Sequence, residues 1–199
     1  MNRRLLALAC AGLLSASGPA WSQGRIALTG SADGTVCSVV DIASGIVEVH
    51  IFVFDVVGLT AIQFAAPKPA CWSGATWIAD NIDTPVIIGD TQDPIGGLSI
   101  AWGNCTSDGG GGFDSPVHVG SMTFFTSGQA PPCCLYPVIK ASGDLHPEVD
   151  GPIVVLCSDM TEVAGIGVEA VINPQPECSC LTPVPIEETT WGAVKALYQ

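Results

Sequence analysis

Cysteine is the residue type in this sequence with the most chemistry on offer. Setting aside Cys10, which lies in an apolar leader, the chain carries Cys37, Cys71, Cys105, Cys133, Cys134, Cys157, Cys178 and Cys180, an even set. In an oxidising compartment an even set reads as bridges. The competing chemistry is a thiolate metal site, with Cys178-Ser179-Cys180 and the adjacent Cys133-Cys134 as candidate donors. Structural zinc sites favour spacers of about two to four residues, and no histidine neighbours either pair, so a disulfide framework is the expectation. Bridged Cα atoms must approach within about 7 Å. Strand order then suggests Cys134 with Cys157 across a hairpin, Cys71 with Cys105 at one end of a sheet, and Cys37 with the Cys178/Cys180 pair where the chain ends meet.

The other reactive groups are scattered. His50, His118 and His146 stand in no zinc-ligand spacing and read as structural or exposed. There is no G-x-S-x-G elbow, Walker loop or dinucleotide fingerprint, and the glycine run at 109–112 has no following lysine and helix, so it reads as a flexible loop. No catalytic residue and no cofactor are assigned. Asp80, Asp83, Asp90 and Asp93, and again Asp108 and Asp114, offer oxygen donors of the kind that hold calcium, but their spacing matches no standard calcium loop and reads as a solvated acidic rim. A glycosidase would need two carboxylates facing across a cleft, and these acids cannot be paired from sequence. Trp72 and Trp77 are candidate rings for a binding surface, since an indole can stack on a sugar or cover a bridge.

These groups must be positioned somewhere, and the leader indicates where. Arg3 and Arg4 precede an apolar run at 5–14, and 15–22 contain Gly18 and Pro19 with small residues at Ala20 and Ser22. That is the pattern of a signal peptide cleaved before Gln23. The run is too short to span a bilayer, and nothing later reads as a transmembrane helix. Removing Arg3 and Arg4 takes the formal charge from −13 to −15, which makes nucleic acid and anionic membranes poor partners. The expected location is secreted, periplasmic or cell-surface. The expected organisation is a signal peptide at 1–22, a β-sandwich domain at 23–182 and a tail with a short helix at 183–199.

The elements are strands. Segments 36–40, 47–54, 60–65, 75–78, 86–88, 98–102, 117–126, 135–140, 153–157 and 165–172 are short and β-rich, and they are separated by Gly, Pro and Asp turn chemistry. In 47–54 the alternation puts Val47, Val49, Ile51 and Val53 on one face and Glu48, His50, Phe52 and Phe54 on the other. About nine strands with no convincing helix before residue 186 predict an all-β, two-sheet antiparallel sandwich, disulfide-reinforced, with Leu98, Ile100, Trp102, Val119 and Phe125 in its core. At the end, Trp191, Val194, Leu197 and Tyr198 fall on one apolar helical face, a short helix that must dock to be stable.

The runs Val56-Val57-Gly58-Leu59-Thr60-Ala61-Ile62-Gln63-Phe64, Gly97-Leu98-Ser99-Ile100-Ala101-Trp102 and Val117-His118-Val119-Gly120-Ser121-Met122-Thr123-Phe124-Phe125 together resemble cohesin-like β-sandwich domains, over roughly 46–126. The resemblance implies a sandwich and a non-catalytic binding module of bacterial surfaces or polysaccharide-degrading assemblies. It transfers no contact residue. Cohesins are not usually rich in cysteine, so the segment from Pro131 to Cys180 departs from the family. The ending from Pro185 looks like a tail that recurs on secreted proteins of environmental bacteria.

Three functions follow as expectations. The first is a secreted or surface-associated non-catalytic module that binds an extracellular protein or polysaccharide. The second is an envelope subunit docked through its C-terminal helix, and the third is an extracellular polysaccharide hydrolase.

Overall fold

Burial alternates along most strands, and that alternation builds the molecule. The computed structural model describes residues 24–106, 109–143, 149–158, 160 and 162–179. The segment read as a signal peptide, the expected tail with Trp191, Val194, Leu197 and Tyr198, together with His146, Asp108 and Cys180, lie outside the described residues.

The chain forms a β-sandwich. The first sheet has the order β12 (Ile166–Val168), β1 (Arg25–Thr29), β3 (Ser44–Phe54), β8 (Val117–Ser127), β5 (Thr76–Ile82). The second has the order β11 (Glu162–Ala164), β10 (Ile153–Leu156), β4 (Leu59–Phe64), β7 (Leu98–Ala101), β6 (Val86–Gly89). A three-stranded sheet joins β2 (Ser38–Val39), β13 (Ala170–Ile172) and β9 (Cys134–Tyr136). Pairing is antiparallel except for β1 with β12 and β2 with β13.

One core lies between the sheets. From the first sheet come Ile26, Leu28, Val49, Ile51, Val53, Met122 and Phe124, and from the second Leu59, Ile62, Phe64, Leu98, Ile100 and Val154. Each such side chain contributes about 1.5–3 kcal/mol by leaving water. A smaller apolar group, Phe52, Phe54 and Ala27 with Val168 against it, sits on the other side of the first sheet.

Four expectations change. Segment 25–29, absent from the expected strands, is β1; Ile26, Ala27, Leu28 and Thr29 are all buried, so no alternation marks it. Phe125, expected in the core, is 51% exposed, and Phe124 is buried in its place. The cause is a bulge: Ile51 pairs with Gly120 but Phe52 with His118, so β8 carries one extra residue and its side-chain parity flips. Trp102 is half-buried at the edge of the core, edge-on to Phe113 at 5.7 Å. Segment 165–172 is not one strand, because β11, β12 and β13 in succession join the second, first and third sheets.

Candidate functional site

Three bridges are described, and two pairings that strand order suggested, Cys134–Cys157 and Cys71–Cys105, are not among them. Cys71 joins Cys134, Cys105 joins Cys157 and Cys133 joins Cys178, with Cα separations of 5.8, 5.3 and 5.6 Å. Cys37 is disulfide-bonded as well. The expected Cys134–Cys157 bridge assumed that β9 and β10 form a hairpin. Instead β9 pairs with β13 and β10 with β4 and β11, so the two cysteines leave for different sheets. Cys71, in the short 3-10 turn Ala70–Trp72, is therefore free to meet Cys134.

Cys105 meets Cys157 through the glycine run. Gly112 crosses Gly58 so closely that a Cβ would fall 2.3 Å from the Gly58 carbonyl carbon, and the Cys157 N–H donates to Gly58 O at 2.8 Å. Gly111, beside it, bridges Cys105. The run at 109–112, read as a flexible loop, is a close backbone crossing.

Trp72, offered above as a binding-surface ring, is fully buried. Its indole N–H donates to Asp41 Oδ2 at 2.7 Å, and its ring packs against Phe124 and Tyr136. An apolar indole with its one donor satisfied belongs in a core. Trp77 is half-buried against the same core and donates to Asp80 Oδ1 at 3.2 Å.

The acids expected on a solvated rim act largely as backbone acceptors. Asp80 receives the Thr91 N–H and hydroxyl, each at 2.7 Å. Asp90 receives the N–H groups of Gln92 and Asp93, Asp93 that of Ile95, and Asp114 that of Gly58. Carboxylates so placed set turns. Beneath them, Gln92 donates to Ala66 O and to the hydroxyl of buried Tyr136, which in turn donates to Ala66 O. Burial pushes the Tyr136 phenol well above its ordinary range.

Two of the three histidines meet. His50 on β3 and His118 on β8 lie on the outer face of the first sheet, His50 Nδ1 3.3 Å from His118 Nε2. Their spacing of 68 residues hid this in sequence, where only the outward parity of His50 was readable.

The outer face of the second sheet has a different character. Its centre consists of Ala61 and Gln63 on β4 and Ser99 and Ala101 on β7, register partners that present uncharged side chains, all small but Gln63. Val86 and Ile88 on β6 rise on one side, with Ile88 67% exposed, and half-buried Val155 with buried Ile153 beside it on β10 borders the other. The result is a shallow groove of about 210 Å³, with Glu162 at its far edge. No sequence motif announced it, because it arises from the outward residues of four strands distant in sequence.

No family model matches the chain, and no curated protein matches it. Solved structures similar to it include the seventh ScaB type I cohesin of Pseudobacteroides cellulosolvens, 15% identical, covering 83% of this chain and 97% of that one, TM-score 0.48. Another is the sixth cohesin of Acetivibrio cellulolyticus scaffoldin B, solved in complex with a Cel5 dockerin, 13% identical, covering 77% and 99%, TM-score 0.48. A type II cohesin domain from the cellulosome of the same organism is 15% identical, covering 76% and 95%, TM-score 0.39. Cohesin-like domains are also what residues 46–126 resemble.

Proposed function

We propose that this chain is a secreted, non-catalytic binding module that takes a protein partner on the outer face of the second sheet. The observation that carries the reading is the water-exposed aliphatic wall of Val86 and Ile88, set across uncharged residues from Ile153 and Val155. Contiguous apolar surface of this kind on a soluble domain marks an interaction site, and depletion of charge at its centre is what protein interfaces have. The lining is aliphatic, whereas sugar recognition uses aromatic platforms; Trp72, the ring that would have suited a polysaccharide, is inside the molecule. The partner's chemistry follows from charge. At a formal −15 once Arg3 and Arg4 leave with the leader, this chain steers toward an apolar ridge with a basic rim. Export is supported by the leader pattern and by the bridges, which persist in oxidising compartments. No helix among the described residues is long and apolar enough to cross a membrane.

The test is a pull-down with the oxidised domain against envelope and secreted proteins and, in parallel, against insoluble polysaccharides. Ala101→Arg, which places a charge mid-face, is the comparison. The expected result is a protein retained by the parent domain and lost by Ala101→Arg, with an unchanged melting temperature and no depletion by polysaccharide. Equal capture by Ala101→Arg refutes this face. Depletion by polysaccharide replaces the protein partner with a sugar, and loss of capture on deleting 186–199 moves the contact to the tail.

A further inference from the structure

The His50–His118 pair lies on the other sheet, facing away from that groove. We propose that it forms a two-imidazole site for a divalent transition-metal ion of the zinc class, ligated by His50 Nδ1 and His118 Nε2, with the remaining positions open to solvent.

Geometry comes first. Two nitrogens bound at about 2.0–2.1 Å to a tetrahedral ion stand about 3.3–3.4 Å apart. The two imidazole nitrogens here are 3.3 Å apart before any ion is added. The bulge at Gly120 makes this possible: it sets His50 opposite Ser121 and His118 opposite Phe52, so the rings meet on the diagonal between two central strands. Gly120 is required there, because a Cβ would fall 2.3 Å from Asn81 O.

The rings are also held. His118 packs on Phe52 with centroids 4.8 Å apart, and Phe52 stacks in turn on Phe54. On the far side of the His50 ring, Glu48 Oε2 lies 4.0 Å from Nε2. At that distance the carboxylate makes no hydrogen bond to the ring and acts on it only as a nearby negative charge. Metal binding needs neutral imidazole. Burial, and next the neighbouring His118, keep His50 below its ordinary pKa against the opposing pull of Glu48.

Among the described residues no group of three or more His, Cys, Asp or Glu side chains gathers where it could hold a metal. The site is therefore bidentate, and an ion there keeps water or takes a ligand from another molecule. Imidazole donors select zinc, copper or nickel over calcium.

The test is calorimetric titration of the untagged, oxidised chain with Zn²⁺ at about pH 7.5, alongside NMR of the histidine ring protons. The expected result is one saturable Zn²⁺ per chain that shifts His50 and His118. His50→Gln and His118→Gln should each weaken it by about tenfold or more, His146→Gln should leave it unchanged, and Ca²⁺ should shift neither ring. His118 is exposed, so His118→Gln keeps the fold and the test stands even where His50→Gln does not. The proposal is overturned by no saturable binding up to about 1 mM, by parent-like affinity in His118→Gln, or by loss of binding in His146→Gln. Any of these outcomes leaves a hydrogen-bonded histidine pair and no metal site.

Discussion

Asp41 is a buried carboxyl group whose contacts are all neutral donors. It receives the Trp72 indole N–H at 2.7 Å, the Thr126 hydroxyl at 2.6 Å and the Ala130 N–H at 3.3 Å, while Asn173 brackets its backbone from both sides. Such a residue is costly unless satisfied, and its partners lie 31 to 132 residues away along the chain. That is why Trp72 was misplaced in sequence: its neighbours Cys71 and Ser73 carry no sign of the acid that receives it. Local acids are more legible. Asp33 accepts hydrogen bonds from the hydroxyls of Ser31 and Thr35 and from the Thr35 N–H, and these pull its carboxyl down to about 2. The bonds favour the charged form in the folded state. Their stabilisation is therefore present above the ordinary carboxylate range and is lost as pH falls toward 2. A carboxyl NMR titration should find the Asp33 midpoint near 2, with Ser31→Ala moving it upward. An ordinary midpoint in the parent protein would mean that the loop at 31–35 is not held this way.

Strands were legible as strands; their neighbours and their parity were not. Alternation in 47–54 placed Val49, Ile51 and Val53 inward correctly, because the extra residue of the β3–β8 pair lies on β8 and leaves the period of β3 itself unbroken. It failed for Phe125 because a bulge is one inserted residue, and period-two reasoning carries no marker for it. Gly120 was visible, but glycine in a strand has several meanings. The glycine run at 109–112 shows the same ambiguity, since a tract that suits a loop also suits two backbones in contact. Two glycines separate the possibilities. Gly112 has φ +81° and a Cβ there would overlap Gly58, whereas Gly103 has φ +62° with nothing within 4 Å of a Cβ. An alanine at 103 bears only the left-handed conformation, about 1–2 kcal/mol. At 112 it bears that and a collision with backbone that cannot rotate away. Urea unfolding should show Gly112→Ala losing clearly more than Gly103→Ala, by at least about 2 kcal/mol. Equal losses would return the run to the status of a loop.

At the scale of the whole molecule, the question is what the bridges add to a core already shared by two five-stranded sheets. The segment from Glu162 to Ile172 visits the second, first and third sheets in turn, so it stitches the sandwich together by ladder hydrogen bonds and by the buried Ala170 and Ile172, without a covalent link of its own. The bridges act at other seams. Cys71–Cys134 ties the 3-10 turn to the third sheet, Cys133–Cys178 anchors the last described turn, and Cys105–Cys157 pins the glycine crossing to the end of β10. Each closes a stretch of 45 to 63 residues, for which the chain-entropy account gives about 4 kcal/mol and measured bridges commonly about 2–4. The stretches overlap, so these contributions do not add. If the core stands by itself, removing one bridge lowers stability without dissolving the structure. Cys105→Ser/Cys157→Ser is the informative pair because Gly58, Gly112 and the Cys157 N–H keep the crossing in place by backbone contacts. The variant should unfold cooperatively in urea with a lower midpoint, a loss of about 2–4 kcal/mol, and a slope no smaller than the parent's, since the unfolded chain is released from the bridge. Its near-ultraviolet circular dichroism should keep the signature of Trp72 packed on Phe124 and Tyr136. A variant with neither a cooperative transition nor that signature would mean that the crossing depends on its covalent pin, and that the bridges complete the core where they were expected to reinforce it.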